Sequence, residues 1–225
     1  MAESTSPEDF HREGYAVHRG VLAKPMLDFI SIEYDILLTN QKMRFGDPQV
    51  DAGYSAYGLN VSEALMQYLL PFMEQKTGLK LYPTYSYGRV YLKGATLAKH
   101  RDRPSCEISL SVMIGQSGDV PWPLQFESLT GKAVALTLNP GDLVVYKGME
   151  LTHWREAFAG EQQLQLFLHY VRRDGPHAKF RFDMRERLGA PPNRQTLTQA
   201  QEAAPQSEPK PQPFAVFQTP PAGKR

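Results

Sequence analysis

The sequence predicts an all-β core of the sandwich or barrel type, supported by N-terminal helices. Strand-like runs crowd the region after Leu81: SYGRVYLKG (86–94), CEISLSVMIG (106–115), AVALTL (133–138), DLVVY (142–146) and QLQLFLHYV (163–171). Gly, Pro and an Asn-Pro-Gly turn separate them, and no helical period intervenes, which describes antiparallel pairing rather than βαβ units. Helical patterns are confined to the stretch before these runs.

The stretch 14–20 reads as a short strand ending at Gly20. Residues 24–39 place Met26, Leu27, Ile30, Tyr34, Leu37 and Leu38 near a 3.6-residue period, with Pro25 in the tolerated first turn, so an amphipathic helix is expected. Residues 44–58 are rich in Gly, Asp, Pro and Tyr and read as loop. A second helix is expected over 62–76, capped by Ser62, kinked at Pro71 and ended by Gly78. Residues 1–190 form one domain in this reading. The Pro/Gln-rich segment 191–225 lacks the branched apolar residues of a core and reads as a tail, with 213–219 as a short island able to add an edge strand.

With 225 residues, 41% hydrophobic and 22% charged, the chain fits one ordinary globular domain. A net charge of +1 gives no general attraction to nucleic acid, and no basic stripe interleaved with aromatics replaces it. The lone Cys106 excludes an intramolecular disulfide and a thiolate-rich metal centre. No secretory leader and no apolar run of the roughly 20 residues needed to span a bilayer is visible, so a cytoplasmic setting is expected.

The chemistry centres on His100-Arg101-Asp102. In an extended segment, side chains two residues apart share a face, so one imidazole and one carboxylate point to a common place. About fifty residues later, after the turn 139–142, the strand 143–146 and the turn 147–148, His153 is placed to supply a third ligand. Two His and one carboxylate on one face of an octahedral ion leave three positions open, as non-heme iron(II) oxygenases require. Zinc takes the same ligands, so residue types alone do not choose the metal.

The order YGRVYLKG, KHRD, GDLVVY, His153, AFAG, LQLFLHYV resembles the double-stranded β-helix (a jelly roll, cupin-like) of the Fe(II)/2-oxoglutarate-dependent oxygenases, closest to the prolyl-hydroxylase-like branch, over roughly residues 85–172. The resemblance implies His100, Asp102 and His153 as iron ligands, Tyr91 as a 2-oxoglutarate contact, and hydroxylation with release of succinate and CO2. It also implies Asp142, after Gly141, in the turn before the strand leading to the distal ligand. The family's basic residue ten or eleven positions after the distal His is missing: Gln163 and Leu164 stand there, and an amide lacks the charge-assisted fork that suits a carboxylate. Arg155, two residues from His153, is the first candidate replacement, and Lys93, two residues from Tyr91, the second.

For the substrate side, candidates are Arg103, Trp122, Trp154, Gln165, Phe167 and His169, with the loop 117–127 as a lid. The last strand carries Leu164, Leu166, Leu168 and Tyr170 on one face for packing, and Gln163, Gln165, Phe167 and His169 on the other, toward a pocket. The implied substrate is a small amino-acid-like or peptidyl molecule, with dioxygen as co-reactant. Two readings compete: a cupin-type metalloenzyme that does not use 2-oxoglutarate, and a non-catalytic β-sandwich binding module.

Overall fold

The computed structural model describes residues 6–192. Seven antiparallel strands form a major sheet in the order β1 (Tyr15–His18), β9 (Leu143–Tyr146), β6 (Ile108–Ser117), β11 (Gln162–Arg172), β4 (Leu81–Leu92), β3 (Val50–Tyr57), β2 (Arg44–Asp47). A minor sheet has the order β5 (Leu97–His100), β10 (His153–Arg155), β7 (Leu124–Glu127), β8 (Ala133–Leu136). This is the double-stranded β-helix with the expected supporting helices.

The helices α1 (Pro7–Glu13), α2 (Lys24–Thr39), α3 (Asn60–Tyr68) and α4 (Leu70–Thr77) precede most of the strands. The apolar stripe of α2 enters the largest core through Leu27, Ile30, Tyr34 and Leu38, a core that Leu164, Leu166, Leu168 and Tyr170 of β11 share. Each such side chain, once buried, contributes roughly 1.5–3 kcal/mol. Tyr34 also explains Gly88: a Cβ there would overlap the Tyr34 hydroxyl, which is hydrogen-bonded to Ser62 Oγ at 3.0 Å. Val144 and Tyr146 of β9, Met113 of β6 and Leu124 and Phe126 of β7 form a second core, to which both sheets contribute.

Three local expectations change. Residues 44–58 are not loop: β2 and β3 form a hairpin that extends the major sheet, because β3 pairs with β4 from Gly53↔Tyr91 to Tyr57↔Tyr87. The second helix is two helices, broken at Leu69, with Pro71 in the first turn of α4 and Gly78 ending it at φ 69°. Ser62 does not cap it; Leu59 occupies the N-cap and Ser62 is buried against Tyr34. The lid expected over 117–127 is in part β7, whose Phe126 is buried and pairs with His153.

Asp142 has a structural task. It receives hydrogen bonds from the backbone N–H of Asn139 and Gly20 and from Arg19, so it pins the end of β1 to the turn before β9. After β11, residues 178–189 return to α3, where Arg185 donates to Glu63 at 2.5 Å and to the Thr84 carbonyl at 3.1 Å. No helix among the described residues is long and apolar enough to cross a membrane. The island 213–219 and the tail from residue 193 lie outside the described residues.

Candidate functional site

His100 and His153 are directly opposed in the β5–β10 pair, and their ring centroids are 4.2 Å apart. Each ring holds its Nδ1 against a carbonyl two residues earlier: Ala98 O at 2.8 Å for His100, Leu151 O at 3.0 Å for His153. A carbonyl only accepts, so both Nδ1 atoms carry hydrogen and both Nε2 atoms offer lone pairs. Asp102 Oδ1 lies 3.6 Å from each Nε2. The three ligand atoms lie within 4.8 Å of one another, which suits one metal ion.

The surroundings fix the carboxylate. The Asp102 N–H donates to Gly148 O at 2.9 Å, and Ser109 donates its hydroxyl to Asp102 Oδ2 at 3.0 Å. His169 Nδ1 sits 2.9 Å from the same hydroxyl. When that hydroxyl points to Asp102, His169 donates to it, giving a chain from His169 through Ser109 to the ligand. Such partners orient metal ligands and raise their affinity. Gly148 leaves the room needed, since a Cβ there would overlap Asp102 Oδ2 and the Cys106 carbonyl.

Burial opposes the charge on Asp102, but contact with His100 and the nearby His153 and His169 hold its carboxyl down at about 2. His153 is lowered by burial, whereas His100, less buried, is raised because Asp102 outweighs its desolvation. Burial also lowers His169, to about 4, keeping it neutral at physiological pH. Asp102, Cys106 and His169 form a second group of ligand-type atoms. Burial pushes the Cys106 thiol well up, and its Sγ is 3.1 Å from the Tyr85 hydroxyl, so it presents a protonated and already bonded sulfur.

Beside the three ligands lies a cavity of about 380 Å³. Arg103, Phe167 and His169 line it. Arg103 is committed: it holds Asp183 through two bonds of 3.0 and 2.9 Å and lies over the Tyr85 ring. Gln163 and Gln165 are buried, with Gln163 Nε2 donating to Gln165 Oε1 and Gln165 Nε2 to Ser111 Oγ. Gln163 Oε1 has no partner. Trp122, Gln163 and Gln165 do not line the cavity; Trp122 is buried in a core cluster, edge-on to Tyr91, and donates its indole N–H to Glu156 O.

Trp154 lies half-exposed between the two buried residues of β10, beneath Lys99 at 4.0 Å, and does not line the cavity. Neither Lys93 nor Arg155 lines it; Lys93 is exposed and paired with Glu161 at 2.9 Å. Arg155 is buried: Nη1 donates to Trp122 O at 3.0 Å, Nε has no partner, and no carboxylate pairs with it among the described residues. Burial lowers its pKa to about 10, against the favourable effect of Tyr91 and Tyr146.

Sequence reasoning missed part of the wall. Tyr85, Tyr87 and Arg89 line the cavity from one face of β4, a period-2 signal that continues to Tyr91, the one residue of that face the sequence singled out. Arg89 is buried and ion-paired with Asp47, a residue of β2 that the loop reading of 44–58 concealed. Tyr57, from the same hairpin, donates to Asp183 at 2.7 Å and stacks on Tyr85.

No family model and no curated protein matches the sequence. Solved structures do share the fold. A Pseudomonas putida prolyl-4-hydroxylase superposes with a TM-score of 0.60 at 17% identity, over 74% of this chain and 97% of that one. The non-heme alpha-ketoglutarate-dependent epimerase SnoN of nogalamycin biosynthesis gives 0.65 at 15%, over 83% and 91%. HygX from Streptomyces hygroscopicus, solved with nickel and 2-oxoglutarate bound, gives 0.59 at 13%, over 72% and 84%. At these identities the likeness is one of fold.

Proposed function

We propose that this chain is an iron(II)- and 2-oxoglutarate-dependent dioxygenase that hydroxylates an unactivated C–H bond of a small amino-acid-like or peptidyl substrate. The observation that carries the reading is the convergence of His100 Nε2, His153 Nε2 and Asp102 Oδ1, with both imidazole tautomers fixed by backbone carbonyls. The fold shared with 2-oxoglutarate-binding proteins supports the cosubstrate.

The residues present fit both groups. His100, Asp102 and His153 would hold the metal from one side, leaving the cavity side open. Arg155 would receive the far carboxylate of 2-oxoglutarate: it is a buried cation with an unpartnered Nε, and an anion would offset the cost of its desolvation. Tyr91 and Gln163 stand near it as neutral hydrogen-bonding groups, paired across β4 and β11. This division explains how the chain manages with an amide where the family places a cation. Lys93, tied to Glu161 at the surface, is not needed for it.

When bound, iron(II) and 2-oxoglutarate would supply, together with dioxygen, an oxidant for C–H bonds, one oxygen atom going to the succinate formed with CO2 and the other to the substrate. The chain supplies placement. Ser109 occupies Asp102 Oδ2, leaving Oδ1 as the single metal-facing oxygen. Phe126 and Tyr146 pack against His153 and keep its ring from turning. Leu97, Tyr87 and Phe167 give the cavity apolar surface that excludes water from the reacting carbon.

Oxygen-dependent release of succinate from 2-oxoglutarate, measured without added substrate, tests the reading. Slow succinate formation that requires iron and is lost in His153→Ala is expected. Iron binding without any 2-oxoglutarate consumption would instead favour a metalloenzyme of this fold that does not use the cosubstrate.

A further inference from the structure

Three arginines line the cavity, and their commitments differ. Arg89 is buried against Asp47, and Arg103 is held by Asp183. Arg101 stands between the ligands His100 and Asp102, with its side chain exposed at the mouth. Its one bond is from Nε to Thr152 Oγ1, at a long 3.3 Å, and no carboxylate pairs with it among the described residues. Its outer nitrogens thus remain available as a donor fork for an anion.

The facing wall is aromatic. Tyr57 stacks on Tyr85 at 5.0 Å and 18°, Tyr85 meets His169 at 4.6 Å, and Tyr87 and Phe167 continue the surface. Tyr57 and Tyr85 are covered by each other, by Arg185 over Tyr57 and by Arg103 over Tyr85, so the half-buried Tyr87 and Phe167, cross-strand neighbours on β4 and β11, are the rings left to a ligand. Flat apolar groups pack well on such surfaces. Among the described residues the only acids lining the cavity are Asp47, ion-paired with Arg89, and Asp102, whose charge a bound metal would offset.

We infer that the substrate is a small organic anion with an aromatic or similarly flat body, its anionic group received by Arg101 and its body lying against Tyr87 and Phe167. The inference rests on the oxygenase reading above and names the substrate class of that same site. The volume of about 380 Å³ suits a small molecule. Arg101 is a specificity residue here, adjacent to the ligands in sequence but free to turn outward.

The test uses the full chain with nickel(II) in place of iron and saturating 2-oxoglutarate, both titrated first by calorimetry. 3-Phenylpropionate, its neutral counterpart 3-phenylpropanol, and the neutral peptide mimic N-acetyl-phenylalanine amide are then titrated separately. The acid should bind about tenfold more tightly than the alcohol, as one charge-assisted contact provides. Arg101→Gln should remove most of that preference, Arg101→Lys should keep part of it, and Phe167→Ala should weaken acid and alcohol alike. Equal binding of acid and alcohol, no saturable binding of either, tighter binding of the peptide mimic, or an acid preference that survives in Arg101→Gln would each overturn the inference. If nickel and 2-oxoglutarate fail to bind while the Arg101-dependent preference stands, the oxygenase reading falls and the anion site remains. Normal binding of both without that preference sinks this inference alone.

Discussion

His100 and His153 face each other across the β5–β10 pair as mirror-like ligands, each with Nδ1 bound to the carbonyl two residues earlier in the chain. The backbone thereby chooses both tautomers before any metal arrives. Asp102 completes the set because its N–H is tied to Gly148 O and its outer oxygen to Ser109.

That arrangement makes Gly148 a sensitive position. Gly148→Ala would drive a methyl group into Asp102 Oδ2 and the Cys106 carbonyl. Metal affinity should fall by roughly 10–100-fold, the cost of losing a ligand's supporting partner. Competition with a chromogenic chelator measures it, with circular dichroism confirming that the sheets persist. Unchanged affinity would show that Asp102 does not need this placement.

Arg155 and Lys93 separate two ways of anchoring 2-oxoglutarate. Arg155→Gln should raise the 2-oxoglutarate Kd by about 100-fold, corresponding to about 3 kcal/mol for a buried charge-assisted pair, while leaving metal affinity in place. Lys93→Ala should change cosubstrate binding by less than about 0.5 kcal/mol, because an exposed ion pair is screened by water. The reverse pattern in calorimetry would move the anchor to Lys93.

The segment after β11 is held by a buried ion pair. Arg185 and Glu63 are almost wholly inaccessible, and Arg185 also donates to the carbonyls of Thr84 and Ala190. Removing one partner strands the other, so Arg185→Ala should destabilise the fold by about 3–5 kcal/mol in urea unfolding. A loss under about 1 kcal/mol would mean that the segment is not docked as described.

Acid should weaken the fold through His18. Burial first, and then Lys76, lower its pKa to about 4, and its Nε2 has no partner. Unfolded, the imidazole titrates near 6.5. Between those values the unfolded chain holds the extra proton, so stability falls as pH drops from about 6.5 to 4. Urea unfolding of His18→Phe should show roughly 1 kcal/mol less loss across that window, after discounting for partial solvent access. His169, lowered in the same direction, keeps some of the slope in the variant.

The readable parts of the sequence were those whose signal is local. The period of α2 and the alternation of β11 followed from the strand or helix itself, and Leu164, Leu166 and Leu168 enter the largest core together with the apolar stripe of α2. The His100-Arg101-Asp102 spacing was also local. What escaped depends on distant pairing. Residues 44–58 carry turn-forming Gly46, Asp47 and Pro48, and become β2 and β3 because β4 offers them an edge. Gly53, a weak strand residue, is needed there since a Cβ would press on Val90 O at 2.9 Å. Asp47 and Tyr57 reach the cavity only through that pairing. Asp183 lies in a left-handed turn at φ 55° after the last strand, and nothing in the neighbouring sequence announces its contact with Arg103.

In the proposed site His100, Asp102 and His153 hold iron with 2-oxoglutarate beside it. Anaerobic titration of the full chain with iron(II) and then 2-oxoglutarate, followed by visible absorption, decides the matter. A weak metal-to-cosubstrate charge-transfer band is expected in the wild type, with its absence in His153→Ala and a right-shifted titration in Arg155→Gln. Tight iron binding with no band at any 2-oxoglutarate concentration would contradict the cosubstrate, and no iron binding at all would contradict the site.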